Sequence, residues 1–277
     1  MNYRHAFHAG NFADLAKHAA VGLVLDRLLA EARPLRVVDT HAGAGVYDLT
    51  GDMARKSGES EAGVARLMAD EAAPPAFDGL KAAVRRLNGG QALRSYPGSP
   101  RLIAERLRPG DSYLGVELHP EEAAFLRQAL MAFGGRTQVE LGDGYALAAL
   151  AARTPGPLFV LVDPPFERGD DYQRAADLAK VVLQRNRGAV LAIWTPLKDL
   201  ETFDAFIRRL ETEVGQGMAV AELRLNALDN PLKMNGCAMI FFNFSVELLE
   251  SLKPALEWIA VTSGGARAGA RLWSTGT

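Results

Sequence analysis

Short apolar runs alternate with amphipathic stretches along most of the chain. Residues 35–39 (LRVVD), 112–118 (SYLGVEL), 137–141 (TQVEL), 158–162 (LFVLV) and 189–194 (AVLAIW) have the length and composition of buried strands. Between them apolar residues recur at helical spacing. Asn11 and Asp14 are helix-start residues, and Leu15, Ala19 and Leu23 give a helix running to about Ala32. Further helices are predicted over 121–133, 145–152, 172–184, 199–213 and 247–260. Strands separated by helices imply parallel neighbours joined by right-handed crossovers. Residues 218–228 and 238–246 are two further strands with no helix between them, which suits an antiparallel hairpin at one edge. The expectation is an α/β fold with a seven-stranded, mostly parallel sheet.

Residues 48–95 break this alternation. They lack strand signals, contain Pro74, Pro75, Gly89 and Gly90, and show helical patterns at 63–69 and 77–87. They are read as a small helical insertion in a domain built from 1–47 and 96–277. The Gly-rich tail SGGARAGARLWSTGT is expected to be loose.

Composition narrows the function classes. The chain has 277 residues with 48% hydrophobic content, enough for a sizeable core. It has no apolar run of membrane-spanning length, and its first residues, MNYRHAFHAGNF, lack the core of a secretion signal. A cytoplasmic protein is expected. One cysteine, Cys237, excludes an internal disulfide and a multi-cysteine zinc site. Net charge is −2, yet Lys81, Arg85, Arg86, Arg94, Arg101, Arg106 and Arg108 face only Glu105 in their stretch. That run is either a solvated face or a local anion-binding patch.

The candidate chemistry collects at strand ends. The first strand ends in Asp39 and runs into THAGAG, with His41, Gly43 and Gly45. Such a turn fits a nucleotide site, although a lone GxG also fits a tight structural turn. The third glycine of a dinucleotide fingerprint is missing, since position 48 is Asp. Glu117 ends the next strand, where an acid can take a ribose diol. Asp143-Gly144 follows the third; that Asp either faces an adenine amine or caps the next helix. The fourth strand ends in DPPF, residues Asp163, Pro164, Pro165 and Phe166. An exocyclic adenine amine is a poor nucleophile because its lone pair is delocalised into the ring. Asp163 and the Pro164 carbonyl can each accept one of its hydrogens and localise that lone pair toward an electrophile. Phe166 offers a face on which a flipped base stacks. The alternative for DPPF is a strand stop with Phe166 in the core.

His5, His8, His18 and His41 all fall in the first 41 residues. No thiol or second carboxylate cluster accompanies them, so no metal is expected. Lys17 and His18, near the start of the first helix, suit a cofactor carboxylate or an RNA phosphate; otherwise they are a solvated Lys and a core-edge His.

The blocks YRHAFHAGNFADLAKH, DTHAGAGVYDL, YPGSPRL, ELHP, DGY and DPPF resemble, in order and across most of the chain, the ribosomal RNA large subunit methyltransferase J family. The resemblance implies a Rossmann-like class I methyltransferase with a small helical insertion. It implies methyl transfer from S-adenosylmethionine to N6 of adenine 2030 of 23S rRNA. His18, His41, Ser99, Glu117, Asp143, Gly144 and Asp163 match the family's cofactor-contacting positions, and Asp163 its catalytic position. Tyr3, His5 and Lys17 fall in the N-terminal motif that caps the substrate pocket. The sequence departs from the family at Phe166, where Tyr is usual, and at Phe244-Ser245, where Pro-Pro is expected. On this reading the partner is 23S rRNA and the protein acts as a monomer. The other readings are a DNA adenine-N6 methyltransferase, which shares the DPPF chemistry, and an RNA-binding module without activity.

Overall fold

The computed structural model describes residues 7–230 and 232–276. Asn11 starts the first helix, α1 (Phe12–Leu29): its side-chain oxygen accepts from the amides of Ala13 and Asp14 at 2.9 and 3.0 Å. This satisfies two donors that a helix start otherwise leaves unpaired. The expected strands follow as β1 (Arg36–Asp39), β4 (Ser112–Glu117), β5 (Thr137–Leu141), β6 (Leu158–Val162) and β7 (Val190–Leu197), all mutually parallel. β6 is buried at all five positions, as a strand covered by helices on both faces must be. The helices that cover the sheet include α6 (Pro120–Leu130), against β4 and β5, and α7 (Gly144–Ala151), α8 (Asp171–Arg185) and α9 (Leu200–Val214), whose side chains share a cluster with β6.

The sheet has eight strands rather than seven, in the order β10-β8-β9-β7-β6-β1-β4-β5. The additional strand, β10 (Gly269–Ser274), forms from the tail expected to be loose and pairs antiparallel with β8 (Ala219–Arg224). The expected hairpin partners β8 and β9 (Gly236–Phe242) do pair antiparallel, but the edge belongs to β10. Trp273 in β10 donates from its indole N–H to the buried Glu222 carboxylate in β8, which fastens the strand.

Two short strands were illegible by pattern. β2 (Val46–Asp48) pairs antiparallel with β3 (Ser95–Pro97), so the intervening chain leaves and returns at one place. That chain contains α2 (Asp52–Ser57), a π turn at Glu61–Ala65, α3 (Arg66–Ala69) and α4 (Asp78–Leu87). Val64, Leu67, Phe77 and Val84 from it join one hydrophobic cluster with Leu15, Val21 and Val24 of α1. A second cluster fills the opposite face of the sheet, between β6, β7, α7, α8 and α9.

After β1 the chain moves outward to β4 and β5, then returns to β6 on the other side of β1. The turns leaving β1 and β6 therefore diverge, which opens a crevice at their carboxyl ends. No helix among the described residues is long and apolar enough to cross a membrane.

Candidate active site

A cavity of about 420 Å³ occupies that crevice. It is walled by the turns after β1, β4, β5, β6 and β7 and by the first turns of α1.

Lys17, from α1, lies with Asp163, from the end of β6. The Lys17 ammonium is 2.6 Å from Asp163 Oδ2 and 2.9 Å from Asp14 Oδ1. Burial opposes charge on Lys17, but the Asp14 and Asp163 carboxylates outweigh it and hold its pKa well above the usual lysine range. The ammonium is thus permanently charged and pins one oxygen of Asp163. Asp14 is fixed in turn by the Gly10 amide, 2.9 Å from its Oδ2. The Asp163 side chain keeps 15% exposure against 6% for Lys17 and 2% for Asp14, and all three line the cavity.

At the end of β1, Asp39 is wholly buried. It accepts from Ser99 Oγ at 2.8 Å and Tyr113 OH at 3.3 Å. Burial pushes its pKa up to about 6; the Ser99 hydrogen bond opposes the rise and the Asp163 charge adds to it. His41 Nδ1 lies 2.7 Å from Thr40 Oγ1, and its ring stands edge-on to Tyr145 at 4.9 Å. Burial lowers its pKa to about 4, so the ring is neutral at pH 7.

Glu117 orients itself on the turn it faces: one oxygen accepts from the Gly43 amide at 2.9 Å, the other from the His119 amide at 2.8 Å. Gly43 has φ +62, which favours glycine, and so presents that amide. Asp143 caps α7 through the Tyr145 amide at 3.0 Å and also meets Arg174 at 2.5 Å, so the capping alternative holds and an ion pair is added. Gly144 is a close-approach position, since a Cβ there would lie 1.9 Å from the Thr40 carbonyl oxygen. His18 Nδ1 is 2.7 Å from the buried Tyr96 hydroxyl, and the two rings stack at 5.5 Å.

The structure therefore brings Lys17, His18, His41, Gly43, Ser99, Glu117, Asp143, Gly144, Asp163 and Pro164 to one cavity, with Asp39 directly behind Ser99. Tyr3 and His5 lie outside the described residues. Phe166 is corrected: it is 6% exposed and packs on Tyr172 at 4.5 Å, with Trp194 and Phe206 beyond. Its φ is +49, and its burial is what the strand-stop alternative has. The basic run is also corrected as a continuous patch. Lys81 is buried on the Asp70 carbonyl, Arg86 and Arg101 share Glu105, Arg106 pairs with Asp26, and Arg108 holds Asp111 and the Leu29 and Glu31 carbonyls at the end of α1. Among the described residues, Arg85 and Arg94 are left without such a partner.

Sequence reasoning missed Trp194, Lys198, Met234, Arg168, Arg174 and Tyr145, which all line the cavity. Lys198 directly follows the end of β7, a signal available from the rule that strand ends share one edge, whereas Trp194 lies inside that strand. Arg174 stacks over the Tyr145 ring at 4.3 Å, and the Tyr145 hydroxyl is buried without a hydrogen-bond partner among the described residues. A buried hydroxyl without a partner is costly unless a ligand completes it. That donor, the Glu117 and Asp143 carboxylates, and the neutral His41 suit a nucleoside bearing hydroxyl, amine and carboxylate groups, as S-adenosylmethionine does. Among the described residues no group of His, Cys, Asp and Glu is arranged to hold a metal ion.

A family model and two sequence relatives agree on one family. The family model described as ribosomal RNA large subunit methyltransferase D, RlmJ, matches residues 32–275. The ribosomal RNA large subunit methyltransferase J of Escherichia coli K12 is 32% identical over 94% of this chain and 92% of its own length. That of Haemophilus influenzae is 31% identical over 95% and 94%. A crystal structure of a Legionella pneumophila protein superposes with a TM-score of 0.85 at 26% identity, covering 97% of this chain and 98% of that one.

Proposed function

The chain belongs to the RlmJ family of ribosomal RNA large subunit methyltransferases, and from that premise we propose that it methylates the N6 amine of an adenine in 23S rRNA, adenine 2030 by the family resemblance. The methyl donor on this reading is S-adenosylmethionine, which supplies an electrophilic methyl on a sulfonium. The observation that carries the proposal is the Asp163 carboxylate, set at the cavity with one oxygen pinned by Lys17.

The chain's own groups act by position. Lys17 holds Asp163 Oδ2, which leaves the other oxygen to accept one N6 hydrogen. The Pro164 carbonyl accepts the second, in a direction stiffened by two prolines. Holding both hydrogens through these two acceptors draws the nitrogen from planar toward tetrahedral geometry, so that its lone pair leaves the ring system and points at the donor, and in-line displacement then needs chiefly alignment. One amine proton must also leave the nitrogen, and the Asp163 carboxylate is the group placed to take it. Trp194, half-buried in the cavity wall, takes the stacking role that Phe166 does not fill in this conformation. Glu117, Asp143, His41 and Tyr145 fall to the nucleoside end of the donor.

Residues 48–95 are, on the same reading, a helical insertion beside the catalytic domain, with Arg85 and Arg94 available to phosphates. The setting is cytoplasmic and the partner rRNA.

The test is methyl transfer from labelled S-adenosylmethionine to 23S rRNA fragments, with duplex DNA as a second arm. Asp163→Asn is expected to lose about 10²- to 10⁴-fold in rate while calorimetry still detects cofactor binding. Activity unchanged in Asp163→Asn overturns the catalytic assignment, and transfer to DNA alone overturns the substrate.

A further inference from the structure

Of the exposed large apolar side chains, Leu232 stands furthest out, 94% exposed. A single exposed leucine needs no explanation by itself. Its setting does. It sits in the loop between β8 and β9, and Met234, two residues later, is part of the cavity wall with Asp163 and Trp194. Val261 and Met131, the next most exposed, are absent from that wall.

The loop is held firmly for one that carries an apolar tip. The Lys233 amide donates to the Asn230 carbonyl at 3.1 Å, closing a turn, and the Leu232 amide donates to Asn230 Oδ1 at 3.1 Å. Asn235, 2% exposed, staples the turn to the sheet. Its side-chain amide donates to the Asn230 and Lys198 carbonyls, both at 2.8 Å. Its backbone amide donates to Leu197 at 2.8 Å, and its own carbonyl accepts from Leu225 and Asn226 at 2.8 and 3.0 Å. The amides of Leu232 and Lys233 are thus both bonded to Asn230, which Asn235 ties to the sheet. Exposed Lys233 is its chain neighbour, and Lys198, in the cavity wall, joins the same loop through its carbonyl, which accepts from Asn235.

A base stacked in a helix cannot place its amine against Asp163 inside a cavity of about 420 Å³. It has to leave the stack, and the gap it leaves must be filled or the unstacking opposes binding. Proteins that open base steps do so with rigid apolar wedges. A wedge must lie beside the receiving pocket, expose hydrocarbon, resist bending and carry cations for the adjoining phosphates. The Leu232 turn meets all four conditions.

We propose that Leu232 is a base-flipping wedge, which enters the RNA stack at the place vacated by the target adenine while Lys198 and Lys233 engage the flanking phosphates. This rests on the RNA-methyltransferase reading above. It names the substrate as a stacked, helical RNA segment rather than a loose single strand.

The test compares Leu232→Ala and Leu232→Phe with the wild-type full chain, using Val261→Ala as a control for loss of an exposed apolar group. One substrate is an RNA hairpin with the target adenine in its stem; the other is the same sequence as an unstructured strand. On the hairpin, Leu232→Ala is expected to lower kcat/KM roughly 10- to 100-fold, matching the few kcal/mol of unstacking. On the unstructured strand it stays within about twofold, and Leu232→Phe restores the hairpin rate. A second readout needs no turnover: 2-aminopurine at the target position brightens on flipping, and the brightening should be lost in Leu232→Ala. Equal rates for wild type and Leu232→Ala on the hairpin overturn the wedge. So does an equal loss on both substrates, which marks an ordinary contact. If the wild type methylates neither RNA, the enzymatic reading fails, while the fluorescence arm still decides whether Leu232 opens the stack.

Discussion

Replacing Asp39 by Asn should make the protein more stable at neutral pH, with a sign set by burial. In the folded chain the Asp39 pKa is about 6, against an ordinary 3.8. The fold therefore holds a proton that the unfolded chain releases. Between those two values stability falls as pH rises, and above the folded value the loss is complete. The difference of about 2.2 units corresponds to about 3 kcal/mol at 1.36 kcal/mol per unit. Roughly half of that falls between pH 5 and 8, because the unfolded carboxyl has already ionised at pH 5. Asn cannot ionise, and its side-chain oxygen can still accept from Ser99 and Tyr113. Urea denaturation of the ligand-free protein at pH 5, 6, 7 and 8 gives the difference in unfolding free energy between Asp39→Asn and wild type. That difference should grow by about 1.5 kcal/mol from pH 5 to pH 8 in favour of the variant. Comparing the same pair at each pH cancels the titration of all other groups and any packing defect of Asn. A difference that stays flat, or shrinks as pH rises, refutes the account of Asp39.

Two other substitutions probe the supports of the site. Lys17→Met leaves Asp14 and Asp163 without their shared cation, and urea denaturation at pH 7 should show a loss of about 3–5 kcal/mol, partly recovered by adding Asp14→Asn. Gly144→Ala places a methyl 1.9 Å from a backbone oxygen that no rotamer change can relieve. It should cost about 1–3 kcal/mol by denaturation and weaken S-adenosylmethionine binding by calorimetry, because α7 must move off β1.

The parallel core was legible because its strands are covered on both faces and so read as continuous apolar runs, LFVLV most plainly. Their acidic ends were legible because Asp39, Glu117 and Asp163 each follow such a run at once. β10 was not, because its residues alternate weakly behind a Gly-rich stretch and become a strand only through β8 and the Trp273–Glu222 contact. β2 and β3 were missed because three-residue strands have no period to detect. The basic run misled for a related reason: charge counts do not reveal which guanidiniums are already taken by carboxylates and helix-end carbonyls. Phe166 misled because its packing on Tyr172 is invisible in the letters DPPF. Met234 reaches the cavity through long-range pairing of β7 with β9, which no local pattern encodes.

The placement of β10 also bears on how the protein is made. A ribosome delivers β8 first and then all of residues 225–268 before the strand that covers its outer side. Throughout that interval the border of the sheet offers open amides and carbonyls to any passing chain. The nascent protein is therefore vulnerable to strand exchange along β8 until Gly269–Ser274 has emerged and zipped onto that rim, where β10 lies four strands away from β6, whose end carries Asp163.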